Sequence, residues 1–294
     1  MIAGLMGTLL LTALIAVAAA APLAAAEPKA APGDDAKAIR IDARQGIEWQ
    51  RPAKLVIARG DAKAVRGDSE VQAEVLTAHY RDRPDGSAEV WLIDADGDVR
   101  LTSPGQSAYG QKGTFDLDKD TLTLSGGKQV GITTATNKIT AEKELEYHAR
   151  TRTLIARGNA VAVDGERTLY GEVITILLNE QPQGQDATAQ GAARPGSAQA
   201  GQNPSRLKHI EAQKAVRLVT PSEDIHADHG TYDVDSGIAT LDGSVKIVKG
   251  RNELNGCRGE INLKTGISKL FACKSDAANG GRVSGVILPQ SLGR

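Results

Sequence analysis

Aromatic residues are scarce in this chain, which contains two Phe, two Trp and five Tyr among 294 residues. Most buried positions must therefore be filled by Val, Ile, Leu and Ala, which suits narrow stacked strands better than a thick globular core. An excess of one charge is also lacking, because 35 Lys and Arg residues are balanced by 36 Asp and Glu residues. No segment concentrates enough basic residues to follow a phosphate backbone, so we do not expect nucleic acid as a partner.

The sequence also lacks the short motifs of common catalytic sites. It contains no G-x-S-x-G elbow, no Walker loop and no dinucleotide-binding fingerprint. We find no paired-carboxylate cleft, which disfavours a secreted carbohydrate-active β-helix enzyme. We therefore expect no catalytic residue, no metal and no cofactor, and we do not expect an enzyme.

An apolar run at residues 5–20 is followed by the small residues 24–26 and then by a polar stretch. This order is typical of a secretory signal peptide, and the run is short for a membrane span, which needs about 20 apolar residues. We predict a signal peptide over residues 1–26, cleavage after Ala26, and a periplasmic mature chain. Because residues 1–4 contain no Lys or Arg, an uncleaved anchor remains the alternative.

Two segments of low complexity interrupt the mature chain. Residues 27–38 are rich in Pro, Ala and Gly, and we interpret them as a flexible tether. Residues 181–205 consist almost wholly of Gln, Ala, Gly, Pro and Ser, and we interpret them as an inserted linker or loop.

An internal repeat is the strongest signal in the sequence. Residues 47–67 align without gaps on 145–165, a shift of 98 (145 minus 47), and VIARGDAKAV matches LIARGNAVAV. Residues 93–126 align on 210–243, a shift of 117 (210 minus 93). The shifts differ by 19, which the insertion at 181–205 accounts for. We predict two units, 39–138 and 139–273, followed by a tail at 274–294.

Apolar and polar residues alternate within each unit. Val245 and Ile247 flank Lys246, for example, which is typical of a half-buried strand. No long helical period competes with this pattern, so we predict an all-β roll or solenoid with an unpaired strand edge at each end. We predict turns at four glycines, namely Gly60, Gly126, Gly158 and Gly243.

The segment from His226 to His229, which includes Asp228, has together with Asp224 the composition of a metal cluster. In the first unit, however, Tyr109 and Lys112 occupy the positions aligned with the two histidines. This difference favours a turn or a surface strand over a metal site.

Each unit has the order I-x-A, an aromatic residue, L/V-x-A/L-x-G-x-x-x-V and a second strand, and the chain closes with VSGVILPQ at 283–290. This order resembles that of the LptA/OstA-type periplasmic lipopolysaccharide-transport proteins. The resemblance covers about 39–290 apart from the insertion. It implies an elongated, open, V-shaped β-jelly roll, here in two tandem units, whose apolar interior shelters the acyl chains of lipid A between the inner and outer membranes. The duplication and the insertion depart from a single-unit member and leave the copy number and stacking length open.

The inward-facing apolar residues have two interpretations, a packed core or an open lipid groove. Small residues at aligned inward positions favour the groove, namely Ala58, Ala62, Ala64, Ala156, Ala160 and Ala162. We predict the lipid contacts to be Val56, Leu122, Leu124, Leu154, Leu241, Val245 and Ile247. The alternative function is a non-lipid β-solenoid interaction or structural protein of the cell envelope, which would yield no lipid on extraction.

Cys257 and Cys273 are equidistant from Thr265, in a segment that reads as a hairpin turn. We predict a disulfide between them, because such bonds persist in an oxidising compartment, and the alternative is two buried free thiols.

The first strand, 39–47, and the last, 267–273, are the predicted edges. There the protein would pair head to tail with itself, with an inner-membrane lipopolysaccharide export complex and with an outer-membrane translocon. Lys269, Lys274 and the tail from Ser275 offer the alternative of a covered edge and a monomer.

Overall fold

A computed structural model describes residues 39–179, 207–273 and 283–287. No helix occurs in these ranges, and so none that is long and apolar enough to cross a membrane. The predicted signal peptide, the tether, the insertion at 181–205 and most of the tail lie outside the described residues. The strands are β1 (Arg40–Asp42), β2 (Gly46–Gln50), β3 (Leu55–Arg66), β4 (Ser69–Asp82), β5 (Ala88–Ser103), β6 (Gln106–Asp116), β7 (Thr121–Ser125), β8 (Val130–Thr134), β9 (Asn137–Ala141), β10 (Glu144–His148), β11 (Thr153–Asp164), β12 (Arg167–Leu178), β13 (Leu207–Val219), β14 (Asp224–Asp233), β15 (Ile238–Lys249), β16 (Asn252–Asn262), β17 (Ile267–Phe271) and β18 (Ser284–Val286).

Alternation of apolar and polar side chains explains why these segments form strands. In β15, Leu241, Val245 and Ile247 are at most 3 % exposed, whereas Asp242 is exposed and Lys246 is half-buried. Successive side chains of a strand point to opposite faces, so one face of β15 enters the core and the other meets solvent. The alternation predicted for this strand is confirmed.

The strands form one antiparallel sheet in which most neighbours along the chain are hydrogen-bonded to each other. The junction between the two repeats is continuous, because β9 pairs with β8 and β11, and β10 pairs with β7 and β11. The predicted all-β fold is therefore confirmed.

The predicted repeat recurs in the registers of the strand pairs. Ala58 lies opposite Leu76 in the β3–β4 pair, and Ala156 lies opposite Ile174 in the β11–β12 pair, both at a shift of 98 (156 minus 58). The pairing of β5 with β6 recurs in β13 with β14 at a shift of 117 (210 minus 93). The shift changes between β12 and β13, where the predicted insertion lies in the sequence.

Most of the long strands carry a β-bulge, and neighbouring strands carry it at the same level of the sheet. Three glycines predicted to mark turns therefore lie inside strands, and only Gly126 follows a strand end. Bulges and turns need the same left-handed backbone, so a glycine in the sequence does not distinguish them. Four bulges contain a glycine and its successor at positive φ, namely Gly60–Asp61, Gly97–Asp98, Gly158–Asn159 and Gly243–Ser244.

A single apolar cluster collects the inward side chains from both sides of the bulges. A bulge bends its strand, and the aligned bulges therefore bend neighbouring strands at the same level. Five of the small inward residues, Ala58, Ala62, Ala64, Ala156 and Ala160, are buried in this cluster, and Ala162 packs against it.

Candidate functional site

An apolar cavity of about 110 Å³ lies within the second repeat. Strands β9, β11, β12, β13, β14 and β15 supply most of its wall. Its lining residues are Asn137, Ile139, Ala162, Val163, Asp164, Arg167, Leu169, Ile176, Leu207, Ile210, Ala212, Val216, Leu218, Gly230, Thr231, Tyr232, Ala239, Leu241 and Leu263.

A difference between the repeats provides space for this cavity. In the second repeat Tyr232 lies opposite Ala239, and the aligned pair in the first repeat is Phe115 opposite Leu122. Alanine is shorter than leucine by three carbon atoms. The second repeat therefore places a smaller side chain on the cavity wall than the first repeat has at the aligned position.

The seven predicted lipid contacts all lie on the inward face of their strands. Leu241 lines the cavity. Four others, Leu124, Leu154, Val245 and Ile247, are buried in the apolar cluster, and Val56 and Leu122 are half-buried against it. Sequence reasoning missed most of the lining, although the Leu122-to-Ala239 difference was visible in the repeat alignment.

Polar side chains gather at one end of the cavity. Asp164 and Arg167 flank the turn between β11 and β12, and Asn137 begins β9. The Oδ1 atom of Asn137 is buried and has no hydrogen-bond partner within the described part of the chain. A buried unpaired acceptor costs about 1–3 kcal/mol, so a donor from a bound molecule would relieve this cost.

The N-terminal edge of the sheet is apolar. Within the described ranges, β1 and β2 pair only with β3, and Ile47 and Trp49 on β2 are 51 % and 59 % exposed. Their counterparts on β10 are Leu145, which is 1 % exposed, and Tyr147, which is half-buried, because β7 covers β10. Thus β2 leaves exposed the surface whose equivalent on β10 is covered by β7 at the internal junction.

The two predicted edge strands differ in extent from the prediction. Residues 43–45 divide the first into β1 and β2, and the last ends at Phe271. Beside this last strand, β18 pairs with a different part of β16.

The structure joins Cys257 to Cys273, whose Cα atoms lie 5.0 Å apart. Asn262 lies opposite Ile267, so the hairpin turn comprises residues 263–266. The hairpin is therefore centred between residues 264 and 265, and the predicted centre at Thr265 is wrong. Cys273 follows the end of β17 instead of facing Cys257 across a ladder.

The residues with the composition of a metal cluster lie on β14 and contact charged side chains of β13 or of β14 itself. Asp224 accepts hydrogen bonds of 2.8 and 2.7 Å from Arg217, which lower the pKa of the Asp224 carboxyl group. His226 lies 3.2 Å from Asp224, and His229 lies 3.0 Å from Glu211. Within residues 39–179, 207–273 and 283–287, no three His, Cys, Asp or Glu side chains are placed to hold a metal ion.

Comparison with known proteins places this geometry in context. The family model described as "LptA/(LptD N-terminal domain) LPS transport protein" matches the chain twice, over residues 40–148 and 138–267. The two matches overlap at β9 and β10, the strands that join the repeats.

An uncharacterised protein of Rhizobium meliloti (strain 1021) is 31 % identical over 88 residues, which are 29 % of this chain and 47 % of that relative. The chain thus matches about half the length of this relative. The crystal structure of LptH, the LptA-homologous periplasmic component of the lipopolysaccharide transport device of Pseudomonas aeruginosa, aligns with a TM-score of 0.36 and 16 % identity. That alignment covers 43 % of this chain and 87 % of LptH.

Proposed function

Because the chain belongs to the family of LptA and LptD N-terminal-domain lipopolysaccharide-transport proteins, we propose that it carries lipopolysaccharide between the inner and outer membranes. In this proposal the acyl chains of lipid A lie in the apolar interior of the sheet. The observation that carries the proposal is the cavity of the second repeat, with apolar side chains along most of its wall.

Hydrophobic contact alone can hold such a ligand. Burying an acyl chain is worth about 0.8 kcal/mol per methylene group, so a segment of six groups contributes about 5 kcal/mol. Carriage therefore needs no catalytic side chain, and we assign no enzymatic activity to the chain.

The polar end of the cavity suits the headgroup of the same molecule. A sugar hydroxyl can donate to the unpaired Oδ1 atom of Asn137, and Arg167 offers a guanidinium group to a phosphate. In this orientation the acyl chain points along the apolar wall toward Leu241.

Site-specific photo-crosslinking tests the proposal. A photo-crosslinker at Leu241, on the cavity wall, should label lipopolysaccharide, and one at the adjacent exposed Asp242 should not. Val245 and Lys246 form a second inward and outward pair on the same strand. Equal labelling within both pairs, or extraction of the purified protein without any lipid, would favour the non-lipid structural protein.

The exposed edge of β2 is where we place contact with partner domains of an inner-membrane export complex or an outer-membrane translocon. Ala149 at the end of β10 donates its N–H to Asp120 beside β7 at 2.9 Å. Because backbone groups alternate in direction along a strand, the N–H groups of Leu145 and Tyr147 also point toward β7. The aligned N–H groups of Ile47 and Trp49 then point to the open side, where a partner strand can bind them.

We place the mature protein in the periplasm, beginning at Glu27 after cleavage of the signal peptide. An oxidising compartment of this kind also favours the bond between Cys257 and Cys273. N-terminal sequencing of the protein purified from its native envelope should begin at Glu27. An intact Met1 would instead support the uncleaved anchor.

A further inference from the structure

We propose that Tyr232 makes the cavity of the second repeat selective for an acyl chain that carries a hydroxyl group. The inference rests on the proposed lipid carriage and names the class of chain that this site takes. Tyr232 forms a hydrogen bond with the chain hydroxyl, beside the small side chain of Ala239. The first repeat has no hydroxyl at the aligned position, which is Phe115.

The cavity wall between residues 210 and 241 is almost the same as the aligned face of the first repeat. Nine lining residues fall in this range, and seven of them are identical to the residue 117 positions earlier. The two that differ are Tyr232, where the first repeat has Phe115, and Ala239, where it has Leu122. These two lie directly opposite each other in the β14–β15 pair, so the difference between the repeats is concentrated at one point. The seven identical residues are Ile210, Ala212, Val216, Leu218, Gly230, Thr231 and Leu241.

The two differences change polarity and volume at the same place. Tyr232 has a hydroxyl group that Phe115 lacks, and Ala239 has three fewer carbon atoms than Leu122. Packing of the wall needs no hydroxyl group, because the first repeat packs with phenylalanine at the same position. Tyr232 is half-buried and lines the cavity, so the hydroxyl group belongs to a side chain that a bound molecule contacts.

The Tyr232 hydroxyl group has no partner within the described part of the chain. Its cross-strand neighbours are Ile210 on β13 and Ala239 on β15, and both are apolar. No side chain or backbone group of the described ranges forms a hydrogen bond with it. By contrast, the Tyr80 hydroxyl accepts a hydrogen bond of 2.8 Å from Nε1 of Trp49. A tyrosine hydroxyl in apolar surroundings usually has a partner, and a bound molecule can supply the one that Tyr232 lacks.

A hydroxyl group on the acyl chain suits both differences. A phenol donates and accepts hydrogen bonds, and an aliphatic hydroxyl group has the same capacity. A plain chain would cover the Tyr232 hydroxyl with methylene groups and leave it unpaired, which costs free energy. The small side chain of Ala239 favours a substituent that branches from the chain. The cavity therefore binds the hydroxylated chain more tightly than the plain one.

Labelled fatty acids test this selectivity on the purified protein with a photo-crosslinker at Leu241, which lines the same cavity. The probes are myristic acid and the same acid hydroxylated either at its third carbon or near its methyl end. They share one carboxylate and one chain length, and titration of each gives the concentration for half-maximal labelling. At least one hydroxylated probe should reach this point at a concentration about fivefold lower than the plain probe, the factor expected for one hydrogen bond.

Tyr232→Phe should reduce this ratio to about one, because it removes the hydroxyl group and keeps the ring. The matched control is Phe115→Tyr, which adds the same group to the first repeat and should leave the ratio measured at Leu241 unchanged. A purely structural role of Tyr232 would weaken labelling by all three probes together. The ratio between probes within one protein therefore separates recognition of the hydroxyl group from a loss of folding.

Equal labelling by the three probes in the parent, or no labelling by any of them, would overturn the selectivity. A preference that survives in Tyr232→Phe would also overturn it, because another group, such as Asn137, would then make the hydrogen bond. Labelling of lipopolysaccharide at Leu241 is measured on the same protein and tests the carrier function separately. Its absence beside a preference that depends on Tyr232 would reject lipopolysaccharide as the cargo and leave the selectivity standing.

Discussion

The substitution Ala239→Leu should separate lipid binding from stability. Ala239 is 4 % exposed and lines the cavity opposite Tyr232. The first repeat already holds a leucine in the aligned position, where Leu122 lies opposite Phe115. The variant therefore introduces a side chain that this fold accommodates, into the space proposed for an acyl chain.

The size of both effects follows from the three added carbon atoms. Each buried carbon contributes about 0.8 kcal/mol, so filling the cavity should stabilise the fold by about 2 kcal/mol and raise the Tm by about 5 °C. Exclusion of two methylene groups of the ligand costs about 1.6 kcal/mol, or roughly tenfold in affinity. Binding should thus fall as stability rises. A variant that failed to fold would instead lose binding and stability together.

The assay pairs thermal unfolding with photo-crosslinking of lipopolysaccharide from Leu241. The reciprocal variant Leu122→Ala serves as the control, because it opens space in the first repeat and should cost about 2 kcal/mol without reducing labelling in the second. Unchanged labelling in Ala239→Leu, with the expected rise in Tm, would refute the assignment of the acyl chain to this cavity.

Three further outcomes are expected. Lys214 has a left-handed φ of 59° at a bulge where the first repeat has glycine, so Lys214→Gly should raise the Tm by about 2 °C in calorimetry, and Lys214→Ala should not. Ile47→Pro removes an N–H from the open side of β2 and should abolish binding to partner domains in a pull-down, whereas Ile47→Ala should retain it. Because Arg217 holds the pKa of Asp224 below its usual value, the stability from this pair is present above about pH 4 and lost as pH falls through the lower folded pKa. Asp224→Asn should therefore lower the Tm slightly near pH 7 and not near pH 2, and an equal effect at both values would contradict the ion pair.

The sequence by itself determined the class of fold and the repeat. Both depend on the order of residues along the chain. Alternation of apolar and polar residues at a period of two decides which face of a strand is buried. Segments with the same residue pattern also pair in the same register, so the sequence repeat predicts a repeat of strand pairing. The inward phase of Val245 and the pairing of Ala58 and Ala156 in equivalent registers could therefore be predicted.

Only the tertiary structure decided between structural features that have the same local sequence pattern, such as a turn and a bulge. Gly60 suits a turn or a bulge equally well, and only the pairing of β3 with β4 on both sides of it makes it a bulge within a strand. The cysteine register depended on whether the hairpin loop contains three or four residues, and a difference of one residue removes the direct opposition of Cys257 and Cys273. The cavity depended on the summed volumes of side chains from six different strands, and a packed interior leaves space only where that sum falls short.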